Sequence, residues 1–162
     1  FPWRMRLPIE EERHLWLLRF DSPAASFELW PEPDGTLAVW LAPGDYALIG
    51  SEQRPKGPGF PGTPLALLRV RPGLRIAYAG DLIVFTMTAP EGFSVGRSMG
   101  DIRLELEPVN RVREMLEQRH GTLPVVPVVT PWCIGDDVRT LRNEAFATRG
   151  RQLLDQGCPP PR

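Results

Sequence analysis

The sequence predicts a mainly β domain, an antiparallel β-sandwich of roughly seven strands with one or two C-terminal helices. Three observations lead there. Short segments alternate apolar and polar residues, as half-buried strands do. The 162 residues include 19 prolines and 15 glycines, which break the chain into short elements. Helical periodicity is confined to the region after Pro108. A chain of this length forms one domain, residues 1–162, with a β-sandwich over 1–107 and a helical extension over 108–162 packed on it.

The first strands are read at His14–Phe20, Ser26–Trp30 and Thr36–Leu41. Pro31-Glu32-Pro33-Asp34-Gly35 supplies fixed φ angles and a glycine able to take φ > 0, which suits a hairpin between the last two. Ala42-Pro43-Gly44-Asp45 forms the next corner, and Tyr46–Gly50 a further strand. Arg54–Pro64 carries prolines at 55, 58, 61 and 64, so it cannot donate a regular ladder and reads as a stiff surface loop. Its PxxP spacing makes Arg54 and Phe60 candidates for partner contact. Strands follow at Leu65–Val70, Leu74–Tyr78, Asp81–Thr88 and Ile102–Leu106.

Pro108 suits the first turn of a helix bearing Val109, Val112, Met115 and Leu116, with Gly121 as its stop. A second helix is expected from an Asp136 or Asp137 N-cap to Leu154, weakened at Gly150. Between them Leu123–Trp132, broken by Pro124, Pro127 and Pro131, reads as an extended strap.

Charge excludes one class of partner. The 19 basic and 20 acidic residues leave a net charge of -1, without the footprint of a nucleic-acid binder. Apolar runs such as Leu15–Leu18 fall far short of the ~20 residues of a membrane-spanning helix. Lys56 is the sole lysine beside 18 arginines, a bias expected of a GC-rich bacterial genome. Cys133 and Cys158 are the only thiols; a bridge between them is expected, with buried free thiols as the alternative. Such a bridge implies an oxidising compartment.

The run Asp34-Gly35-Thr36-Leu37-Ala38-Val39-Trp40-Leu41-Ala42-Pro43-Gly44-Asp45-Tyr46-Ala47-Leu48 resembles the carboxypeptidase regulatory-like, or prealbumin-like, β-sandwich family. An Asp-Gly turn, an alternating strand, a Pro-Gly corner and a Tyr-initiated strand follow one another there. Pro72-Gly73 through Tyr78-Ala79-Gly80-Asp81-Leu82 is similar to a strand pair in bacterial envelope proteins of this type. The resemblance implies an accessory or stand-alone envelope module without shared catalytic residues. It implies an extracytoplasmic location, in the periplasm or at the outer membrane, and a protein or envelope-polymer partner. A leader removed before Phe1, or a lipid anchor upstream of it, stays open.

Catalysis has one candidate. Gly92-Phe93-Ser94-Val95-Gly96 fits the G-x-S-x-G elbow, with Asp101 and His120 following in Ser, Asp, His order, so a small serine hydrolase is the alternative reading. The elbow needs a helix behind the serine, however, and an alternating strand follows instead; a glycine-rich hairpin loop is the expectation. No metal site and no cofactor are expected. His14 and His120 are far apart, the cysteines form no C-x-x-C pair, and Asp136 and Asp137 are adjacent. Gly96-Arg97-Ser98 lacks the glycine and lysine of a phosphate loop.

Strand parity is the more informative feature. An even hairpin register places Phe27, Leu29, Leu37, Val39 and Leu41 on a core face, and Glu28, Trp30, Ala38 and Trp40 on the other. The expectation is that the C-terminal helices cover Trp30 and Trp40; the alternative is an exposed aromatic platform for a sugar, peptide or protein.

Overall fold

The computed structural model of the protein describes residues 15–49, 64–87, 98–142 and 145–158. The chain is mainly β. Strands β1 (Leu15–Arg19), β2 (Ser22–Leu29), β3 (Gly44–Ile49) and β4 (Ala66–Val70) form one antiparallel sheet in the order β2-β1-β3-β4. Strands β6 (Asp81–Met87) and β7 (Ser98–Glu105) pair as an antiparallel hairpin. The two-residue strands β5 (Ala77–Tyr78) and β8 (Val128–Val129) pair in parallel. Helices α1 (Val109–His120), α2 (Asp136–Arg139) and α3 (Ala145–Asp155) complete the elements.

Register decides what each face of the large sheet carries. Leu17 lies opposite Leu48, Tyr46 opposite Leu68 and Leu15 opposite Leu29, so these residues share one face. Leu18 and Ala47 oppose each other on the second face, as do Ala47 and Leu67. Both faces are covered, which explains why β1, β3 and β4 are nearly continuously apolar. On the first face Leu82 of β6 is buried in a core with Leu17, Tyr46, Leu48 and Leu68, and Ile102 and Leu104 of β7 pack against it. On the second face Phe20, Ala47 and Leu67 form a core with Val138 of α2, Leu141 just after it and Phe146 of α3.

The helix α1 belongs to a third cluster. Its buried Val112 and Leu116 pack on Tyr78, with Ile76 and Leu123 at the margin. Pro108 stands at the N-cap position just before the first turn, and Gly121 follows the last, its N–H bonded to Glu117 O at 3.0 Å.

Several expectations are corrected. Thr36–Leu41 is not a strand, and no hairpin forms across Pro31–Gly35: β2 pairs with β1, and β1 takes β3 as its other neighbour. Burial of one side of an extended segment needs no ladder, so alternation alone overstates pairing. Only Ala77–Tyr78 of the strand expected at Leu74–Tyr78 forms. The single helix expected from Asp136 to Leu154 is two, because α2 ends after one turn at Thr140 and Leu141 instead drops into the core. Gly135, not Asp136 or Asp137, occupies the N-cap, and both aspartates sit in the first turn, where carboxylates favour the helix dipole. Gly150 is inside α3 for a packing reason: the Phe20 ring lies where its side chain would be.

The end of α3 is locked to the sheet. Gly157, at φ +74°, and Cys158 close α3 in a Schellman motif, with Cys158 N–H bonded to Leu153 O at 3.0 Å and Gly157 N–H to Leu154 O at 3.1 Å. That motif carries Cys158 to Cys133, and the two form a disulfide with Cα atoms 5.4 Å apart. Cys133 itself is paired to the outer edge of β4 through two backbone bonds with Leu67, of 2.7 and 2.8 Å. Arg69 adds an ionic tie, binding both oxygens of Asp45 at 2.7 and 3.0 Å and Asp155 at 2.5 Å. These pairings hold its guanidinium well above its usual pKa, the Asp45 hydrogen bonds foremost. Among the described residues no helix is long and apolar enough to cross a membrane.

Candidate functional site

The residues singled out by sequence meet different fates. Arg54, Phe60, Ser94 and His14 lie outside the described residues. Asp101 falls within β7. His120 is the exposed last residue of α1, where a cation is favoured by the helix C-terminus. Strand β7 begins at Ser98, so among the described residues a strand, not the helix of a nucleophile elbow, follows the Gly92–Gly96 motif. Among the described residues no group of three His, Cys, Asp or Glu side chains could hold a metal ion.

Trp30 and Trp40 are exposed, and the expectation that the C-terminal helices cover them is overturned. Those helices cover the sheet face bearing Phe20, Ala47 and Leu67, where their apolar stripe meets complementary surface. Trp30, just past the end of β2, is 56% exposed, and Trp40 is 97% exposed. Phe27, expected in the core, is also exposed, although it lies opposite Leu17 in register. It sits on the outermost strand of the sheet among those described, where one flank lacks a neighbouring strand.

Residues 36–42 form a strap held at both ends. At the first end Gly35, at φ +82°, reverses the chain; Glu32 N–H donates to Thr36 O at 2.8 Å, and Gly35 N–H to Glu32 O at 2.7 Å. Thr36 N–H donates to Asp34 Oδ1 at 2.9 Å, and this bond is the main reason the Asp34 carboxyl titrates below its usual range. An ion pair from Asp34 to Arg119 joins the turn to the last turn of α1. At the far end the Tyr46 hydroxyl donates to Ala42 O at 2.6 Å, and Arg19 donates to Pro43 O at 3.1 Å. Burial pushes the Tyr46 phenol above its usual pKa.

Between those pins the strap keeps the two-residue period of a strand. Leu37 is buried, and Val39 and Leu41 pack against the core of the first sheet face. Ala38, Trp40 and Ala42 are exposed. Among the described residues no backbone hydrogen bond joins residues 37–41 to another segment. The arrangement therefore presents an indole, small apolar neighbours and extended backbone, without an acid–base pair.

A lesser apolar surface, unremarked in the sequence, lies on the strap of β8, where Val126, Val128 and Val129 are exposed. The proline-broken valine run Val125-Val126-Pro127-Val128-Val129 was the sequence signal for it. Arg69 was missed as well, although an arginine inside Leu67-Leu68-Arg69-Val70 demands a partner once the strand is buried. No family model matches the chain, and neither a curated protein nor a solved structure matches it.

Proposed function

We propose that this chain is a non-catalytic, extracytoplasmic binding or scaffolding module of prealbumin-like sandwich type, serving a bacterial envelope assembly. The observation that carries the reading is Trp40, 97% exposed on a strap whose other face is buried. Contact covering an indole removes ~150–250 Å² of apolar surface, about 4–6 kcal/mol before association costs are subtracted. Such side chains are characteristic anchors of interfaces.

Other features support the compartment and the fold. The Cys133–Cys158 disulfide fits an oxidising environment. The β6–β7 hairpin against one face of the large sheet supports the sandwich reading. The Tyr46 hydroxyl bonded back to Ala42 resembles the tyrosine corner of Greek-key sandwiches. Trp30 and, in the Arg54–Pro64 loop, Arg54 and Phe60 are further contact candidates for a protein or envelope-polymer partner.

The test is capture from a bacterial envelope fraction with the folded chain as bait. Trp40→Ala, and separately Trp30→Ala, lower recovery of a retained protein or polymer by tenfold or so (~1.4 kcal/mol) while leaving the circular dichroism and thermal midpoint unchanged. Undiminished capture by both variants, or unfolding of both, ends the reading. Covalent labelling of Ser94 by a serine-directed phosphonate would establish the hydrolase instead.

A further inference from the structure

We propose that Thr36–Ala42 pairs antiparallel with the same segment of a second copy of this chain, about a two-fold axis at Val39. The inference rests on the reading of Trp40 as a contact residue and names what it contacts. The strap alternates buried and exposed side chains as a strand does, and its backbone at 37–41 bonds to no other segment among the described residues. Exposed strand edges in monomers are normally guarded by charge, proline or a bulge. Here ten consecutive residues, 35–44, carry no charged side chain, and Pro43 is the first proline after Pro33.

A second copy paired about Val39 satisfies both parity and charge. Antiparallel pairing keeps buried residues beside buried ones only where paired positions sum to an even number. Pairing about Val39 sets Leu37 opposite Leu41 and Ala38 opposite Trp40 of the other copy, so small faces large in both directions. The two Trp40 indoles become diagonal neighbours, within reach of one another. Asp34 then faces Gly44, and Asp45 faces Pro33, so acids of the two copies never meet. A shift by one residue would set Asp34 directly against Asp45 and turn every side chain to the wrong face. The segment is thus self-complementary, as a two-fold interface must be.

So short a ladder lies at the small end of specific interfaces, and the dimer is expected at concentrations on the order of 100 μM rather than at trace levels. Sedimentation equilibrium of the purified full chain over ~1–500 μM reads it directly, as a weight-average mass rising above 18.2 kDa. Trp40→Lys and Ala38→Lys, both at exposed positions, each raise the dissociation constant at least ~tenfold. Gln118→Lys, at an exposed position of α1 outside the strap, leaves it unchanged. The double variant Ala38→Lys with Trp40→Glu restores association, because the lysine of each copy then faces the glutamate of the other.

A wild-type mass that stays monomeric throughout, a dimer indifferent to both strap variants, or no restoration in the double variant overturns the proposal. A monomeric chain whose envelope capture still depends on Trp40 ends self-pairing alone and leaves the binding module standing. A dimer as specified whose capture ignores Trp30 and Trp40 does the reverse, limiting the strap to self-association.

Discussion

Replacing Gly150 by alanine sets two effects of known sign against each other. In an exposed helix the change stabilises by about 1 kcal/mol, since glycine carries the larger backbone entropy loss. Gly150 is buried inside α3, and a Cβ there would lie 2.7 Å from Phe20 Cε2 and 2.9 Å from Cζ. Contacts that short require the ring to move. Phe20 is 4% exposed, meets Phe146 edge-on with centroids 5.6 Å apart, and has the Arg151 guanidinium 5.9 Å from its own centroid. With those neighbours in place, overpacking costs about 1–3 kcal/mol. Steric cost wins, and Gly150→Ala destabilises by about 1 kcal/mol net, lowering the thermal midpoint by ~2–4 °C for a chain of this size. Urea denaturation followed by circular dichroism measures it. In a Phe20→Leu background the ring is gone and the same substitution becomes neutral or stabilising, so a double-mutant cycle yields coupling of about 1–2 kcal/mol. A stabilising Gly150→Ala in the wild-type background would refute the argument, because it would mean that the Phe20 ring yields freely.

Reduction of the Cys133–Cys158 bond, which spans a sequence separation of 25, lowers stability by about 3.5 kcal/mol on the chain-entropy account. Urea midpoints with and without dithiothreitol measure this; a loss under ~1 kcal/mol, or thiols reacting in denaturant without reductant, contradicts it. Tyr46 and Tyr78 are the only tyrosines, and burial raises both phenols above the usual 10.0. A raised folded pKa contributes stability in full below the unfolded value and loses it as pH climbs through the folded one. Ultraviolet titration therefore finds less phenolate at pH 10 in the native chain than in the denaturant-unfolded one; ordinary titration at both residues would contradict that. Tyr46→Phe costs about 1 kcal/mol near neutral pH through its bond to Ala42 and flattens the alkaline loss.

Local chemistry explains which parts of this fold could be read from the chain. The apolar runs of β1, β3 and β4 and the stop of α1 at Gly121 depend on near neighbours, and they formed as expected. Cys158, just past Gly157, was expected to meet Cys133, and the Schellman motif at Gly157 is what brings it there. The pairing of β1 with β3 could not be read, since nothing local states which of several apolar strands lies beside which. The same ignorance made Pro31–Gly35 look like a hairpin turn. Its backbone does reverse, but the arms do not pair.

The exposed tryptophans divide the same way. Sequence alone determined the period of residues 36–42 and the absence of charge across 35–44, and it left two fates for the indoles, covered or presented. Tertiary structure made that choice. The apolar stripe of α2 and α3 was satisfied against Phe20, Ala47 and Leu67, on the sheet face away from the core on which Leu37 is buried. Apolar burial depends on area and is indifferent to which surface supplies it, so the chain's order cannot say which face a helix will cover. Once α3 was tied through Arg69 and the disulfide, nothing in the described fold remained to shield Trp40.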